Sequence, residues 1–166
     1  MSSENLFGNL ERHLRTRDDI EMMLLKGHLI LEQALNQVLL GYVTSEKSLR
    51  ELNLMFSKKL DLVVAISGNG YLPDRIAQLR EINRIRNKLA HHLDFTDFHT
   101  DLKRWACNVL AYTPKTIGRK RTYRNTLMKA FYLLAGMLSG MAIGRVEALK
   151  GERSNNSFKA DGFAAA

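Results

Sequence analysis

DRIAQLREINRIRNKLAHHL, residues 74–93, decides the fold class. Its apolar residues Leu79, Ile82, Ile85, Leu89 and Leu93 recur at intervals of three and four, the period of an α-helix and not the alternation of a strand. Wound at about 100° per residue, they form one stripe, and Arg86 falls inside it, about 40° from its centre. A guanidinium in an apolar stripe must find partners or carry its charge out to water. Asn87 and His91, four apart, share a face on roughly the opposite side.

The same period extends outward in both directions. Pro73 suits the first turn of this helix, and SGNGYLP before it is the clearest break in the chain. Upstream, residues 48–67 give one or two helices, with LDLVVAIS strongly apolar. Before them IEMMLLKGHLILEQALNQVLLGYV repeats leucines at helical spacing, with Asp18 or Asp19 as its cap. Leu6, Leu10 and Leu14 are spaced for a short first helix. Downstream, Asp94 or Thr96 can cap a helix through FHTDLKRWACNVLAY, TPKTIG breaks it, and a long last helix is expected over residues 121–150. The expected fold is therefore all-α, a compact bundle of about five to six helices. Residues 1–152 form one domain, and residues 153–166 are read as a disordered polar tail.

In the last helix Gly136, Gly140 and Gly144 stand four apart with Ser139 beside them. Each glycine costs roughly 1 kcal/mol relative to alanine in a helix, so a stripe of three calls for a close neighbour. That neighbour is either another helix of the fold or the same helix of a second subunit.

Composition narrows the function classes. The chain has 166 residues, 45% apolar and 25% charged, which suits one globular domain. Its one cysteine, Cys107, rules out an internal disulfide and a multi-thiolate zinc site. A polar, charged start argues against a secretion signal, and the uncharged stretch 130–144 is shorter than a membrane span needs. The expectation is a cytoplasmic protein without a membrane partner. A net charge of +8 favours polyanions, RNA or DNA before membrane. Lys115, Arg119, Lys120, Arg121 and Arg124 carry much of it, flanked by Tyr112 and Tyr123, aromatics of a kind that stack on single-stranded bases.

Arg86-Asn87-Lys88-Leu89-Ala90-His91 resembles the R-x4–6-H motif of the HEPN superfamily, with a polar residue directly after the arginine. From Met55 to Asp97 the layout is similar to the mannitol-operon-repressor type of HEPN-like protein: MFSKKLDLVVAIS, a glycine break, LREINRIRNKLAHH and then DFTDF. The resemblance implies a helical, commonly dimeric protein. In many members it also implies a metal-independent ribonuclease acting as a toxin or defence effector, which a neutralising protein partner would accompany. No cofactor and no metal belong to that expectation.

The residue types suit the implied chemistry. RNA cleavage without metal needs a base for the 2′-hydroxyl proton, which histidine can supply, and a fixed cation for the charge on phosphorus, which arginine supplies in a fork. Arg86 and His91 are the expected catalytic pair, with Asn87 orienting the imidazole. Lys88 and His92 are expected at the RNA, along with the basic run Lys115, Arg119, Lys120, Arg121 and Arg124. His92 also satisfies the looser motif spacing. Positions five apart on a straight helix diverge by about 140°, so one chain does not bring Arg86 and His91 together. Either the helix ends or distorts near Ala90, or the site combines two subunits across a two-fold axis.

A second reading stays open: a non-catalytic HEPN-like regulator or macromolecule-binding module. There His91 and His92 cap the helix C-terminus, and Arg86 pairs with a carboxylate such as Glu81. His28, mid-helix, reads as a satisfied core histidine. Asp94, Asp97, His99 and Asp101 match no closed metal site, and capping explains the aspartates. The tail SNNSFKADGFAAA is similar to read-through ends of proteins encoded on mobile gene cassettes, and equally to a cloning remnant.

Overall fold

The computed structural model describes residues 20–67, 73–91 and 97–161, the last eleven as helical backbone alone. Leu6, Leu10, Leu14, His92, Asp94 and Thr96 lie outside the described residues. Among those described there are six helices and no strand, so the chain is an all-α bundle. The helices are α1 (Ile20–Leu40), α2 (Glu46–Glu51), α3 (Phe56–Ser67), α4 (Pro73–His91), α5 (Phe98–Leu110) and α6 (Lys120–Asp161).

α1 is the central helix. Its wide apolar face (Met23, Leu24, Leu31, Ala34, Leu35, Val38, Leu39) is buried, and it packs against α6, α3 and α4. Two contacts fix its direction: Gly27 lies against Phe131 and Gly41 against Arg145, so α1 and α6 run parallel. α4 and α5 are antiparallel. Arg75 at the start of α4 donates to the Val109 carbonyl at 2.6 Å, while Arg84 reaches Asp101 at 3.4 Å. α5 and α6 run parallel in turn, because His99 meets Tyr123 and Trp105 meets Phe131.

Local chemistry sets the boundaries. Ser45 caps α2, accepting from the Ser48 N–H at 3.2 Å. Asn53, at φ 46°, turns the chain between α2 and α3, so the stretch expected to hold one or two helices holds two. α5 begins after Asp97, whose side chain makes no capping bond. It ends on Ala111 at φ 52°, with Tyr112 N–H reaching back to the Cys107 carbonyl at 3.1 Å. α6 continues to Asp161, past the end expected at Lys150, so residues 153–161 of the expected tail have helical backbone. Residues 162–166 lie outside the described set. By length and composition Lys120–Lys150 is long and apolar enough to cross a membrane, while Leu127, Phe131, Leu134 and Leu138 are buried inside the bundle.

Gly27, outside the expected stripe, permits close packing. A Cβ on Gly27 would stand 2.6 Å from the Phe131 ring, whereas one on Gly140 or Gly144 would meet nothing within 4 Å. No helix of this fold covers those two positions among the described residues. Gly27→Ala is expected to lower stability, since overpacking costs about 1–3 kcal/mol and outweighs the ~1 kcal/mol helix advantage of alanine. Gly140→Ala gains up to about 1 kcal/mol, because only the helix term remains. Thermal melts of the two variants should move in opposite directions, and equal stabilisation by both would contradict the packing described.

Candidate functional site

α4 is α-helical without a break from Pro73 to His91. Leu79, Ile82 and Ile85 are buried on its inner face, and Leu89 packs against the core from its edge. Arg86 is half-buried beside them, as its place in the stripe requires; Asn87, Lys88 and His91 are exposed.

The Arg86 guanidinium donates from Nη1 to Asn87 Oδ1 at 3.2 Å. Glu81, the carboxylate considered as its partner, is taken by Arg84, which donates to it from Nε at 2.8 Å and Nη2 at 2.6 Å. That contact also holds the Glu81 carboxyl below its ordinary value, burial acting against it. Among the described residues no carboxylate is paired with Arg86. Asn87 thus engages the arginine, and no bond from it to His91 is present among the described residues. The helix is undistorted through Ala90 and ends at His91, and within it Arg86 and His91 leave the axis about 140° apart.

Behind Arg86 lies His28, 4% exposed, with Nε2 at 3.0 Å from Asn83 Oδ1 and its ring 4.3 Å from that of Phe56. Burial lowers its pKa; the Asn83 bond opposes this, and the charge of Arg86 adds to the lowering. It is a satisfied core histidine, as read. Below the ordinary value of 6.5 the unfolded chain takes up a proton that folded His28 refuses, so its contribution is complete above pH 6.5 and is lost as pH falls through the folded value. Melting temperature should therefore drop from pH 7 to 5. His28→Gln, although less stable at pH 7, should show a smaller drop. An unchanged drop would remove His28 as a cause. His99 contributes with the same sign, its pKa lowered by burial first and by Lys103 second.

The basic run is brought to the end of the bundle that carries the motif. Lys115, Arg119, Lys120 and Arg121 are exposed and Arg124 is half-buried, at and before the start of α6. That start is level with the start of α5, since His99 Nδ1 is 3.4 Å from Tyr123 Oη and Lys103 Nζ lies 5.0 Å over the Tyr123 ring. The start of α5 is level with the second half of α4 through Arg84 and Asp101.

Two expectations need correction here. Tyr123 is only 5% exposed, covered by Lys103 and beside His99, and burial pushes its phenol above the usual range. Tyr112 is exposed but sits beyond the opposite end of α5, so the two tyrosines do not flank the run as a stacking pair. Asp101 is engaged by Arg84 and by Arg104 at 2.6 Å, and Asp97 gives no side-chain cap. Lys103 and Arg104, which complete the cationic end, were not singled out by their spacing.

Two further features were expected to point to a second copy, and they lie apart. Gly140 is seventeen residues along α6 from Tyr123, about 25 Å at 1.5 Å per residue. The open glycines and the motif therefore do not describe one contact patch. Two sizeable cavities among the described residues do not include Arg86 or His91. One, of about 690 Å³, lies between α4 and α5 beside Trp105; the other, of about 950 Å³, lies between α1, α2 and the second half of α6.

No family model, curated protein or solved structure matches this chain. The class that the fold defines, among the described residues, is an all-helical bundle.

Proposed function

We propose that this chain is a HEPN-like, metal-independent endoribonuclease of the toxin or defence-effector type, acting as a homodimer with a composite site. One observation carries the reading. Arg86 is half-buried in an apolar stripe, and among the described residues its one hydrogen bond goes to neutral Asn87, with no carboxylate paired to it. An arginine held by a neutral amide keeps its charge for an anion, and a phosphate is the anion its fork fits.

In the proposed reaction His91 takes the proton of a ribose 2′-hydroxyl. The 2′ oxygen bonds to phosphorus, the bond from phosphorus to the 5′ oxygen breaks, and that oxygen takes a proton from water. Arg86 stabilises the added negative charge on the phosphoryl oxygens. Because Arg86 and His91 of one chain diverge, the arginine of one protomer works with the histidine of its partner. Asn87 holds Arg86, and Lys88 with the basic run holds the strand.

The test is cleavage of varied RNAs by purified protein in EDTA, with Arg86→Ala and His91→Ala alongside. Cleavage leaving 2′,3′-cyclic phosphate ends, lost in both folded variants, is the expected result. No cleavage by the intact dimer would make this a binding module and Arg86 a structural residue.

A further inference from the structure

The basic run and the motif are separated by about thirty residues of sequence, yet α5 stands between them with cations of its own. Arg104 is exposed, and Lys103, half-buried, lies over the Tyr123 ring. Arg104 faces α4, where its charge reaches Glu81; Lys103 faces α6. Cations thus follow one another from Lys88 on α4 through Arg104 and Lys103 on α5 to Arg119 and Arg121 at α6.

The carboxylates along this path are occupied. Arg84 engages Glu81 in a fork, and Asp101 is shared by Arg84 and Arg104. Among the described residues, Asp97 at the start of α5 and Glu21 at the start of α1 are further acidic groups at this end.

The charge at α6 also works against the fold. The first turn contains Lys120 and Arg121 and no acidic residue, although the N-terminus of a helix is its positive end. A cation is disfavoured there, and the Arg121 side chain is exposed. A bound polyanion reverses the sign of that cost.

We infer that Lys103 and Arg104 bridge the basic run to the motif as one binding track for single-stranded RNA, which guides the strand from α6 across α5 to Arg86 on α4. The inference rests on the ribonuclease reading for its destination but not for its binding. Single-stranded RNA is favoured over a duplex because in-line attack by a 2′ oxygen needs a flexible backbone. It is favoured over membrane because the path offers cations and, among the described residues, no exposed large apolar side chain.

The test is equilibrium binding of a labelled single-stranded RNA oligonucleotide to the full chain across a salt series. Lys103→Ala/Arg104→Ala is expected to weaken binding roughly tenfold and to reduce the salt slope by about 1.4, two phosphate contacts at about 0.7 each. Lys103→Arg/Arg104→Lys restores both. Lys47→Ala, on exposed α2 at the other end of the bundle, changes neither. Thr100→Glu, which leaves both cations in place on an exposed position, weakens binding too and covers the case in which the double variant fails to fold. Parent-like affinity and slope in the double variant and in Thr100→Glu overturn the track. So does a parent that binds phosphatidylserine vesicles and not RNA. A parent that cleaves while the double variant binds normally overturns the track and leaves the nuclease reading. A parent that binds through Lys103 and Arg104 but never cleaves overturns the nuclease reading and leaves the track.

Discussion

Trp105→Ala is expected to destabilise the chain by about 3–5 kcal/mol, a large share of a domain's whole stability. The indole is 2% exposed and lies 5.0 Å from the Phe131 ring, which itself fills the space opposite Gly27. Its Nε1 donates to the Gln78 carbonyl at 2.8 Å, so one side chain ties α5 to α4 and α6. Removal leaves a cavity and takes away the second bond of the Gln78 carbonyl, which keeps its helical bond inside α4. Trp105→Phe keeps the ring contact and loses the bond, which costs about 1–3 kcal/mol less than truncation. Urea denaturation measures both, and a loss below about 1 kcal/mol for alanine would contradict the packing. Because the cationic end exists only while α4, α5 and α6 are joined, RNA binding should fall with the folded fraction.

Arg86→Ala should instead leave the fold intact and remove activity. The side chain is half-exposed and its hydrogen bond is to an exposed neighbour, so nothing buried is orphaned by its loss. Cleavage should fall about 10²–10³-fold, the cost of removing one preorganised donor from a developing oxyanion. Arg86→Lys keeps the charge and loses the fork, and recovers little. Asn87→Ala frees the guanidinium without removing it, and a loss of about tenfold, roughly 1.4 kcal/mol, is expected. Single-turnover cleavage separates these from binding. Equal activity in Arg86→Ala and the parent would end the proposal.

The periodicity of the chain was enough to read the helical class, because apolar residues at three and four place a face inward whatever lies opposite. Leu79, Ile82 and Ile85 are buried on that account alone. What the period does not contain is the neighbour. Gly140 and Gly144 read as part of a close-packing stripe and stand open, while Gly27 meets the Phe131 ring, since closeness depends on the residue opposite. Tyr123 looked like a stacking aromatic from its cationic surroundings and is buried, because it falls on the inner face of α6. Asn87 lies four before His91 but turns to Arg86, its adjacent neighbour. Lys103 and Arg104 gain their interest only when α5 is set between α4 and α6, a relation between elements far apart in the chain. The anomaly of Arg86 was legible from the wheel; that Glu81 goes to Arg84 was not.

The central claim is that Arg86 of one protomer acts with His91 of the other. The most direct measurement is RNA cleavage by a mixture of Arg86→Ala and His91→Ala chains, refolded together so that subunits exchange. Each variant alone should be inactive. In a mixed dimer one of the two composite sites has both groups intact and the other has neither. With half of the dimers mixed, activity should return to about a quarter of the parent's. A mixture as silent as its components, from variants shown to form dimers, would contradict the composite site.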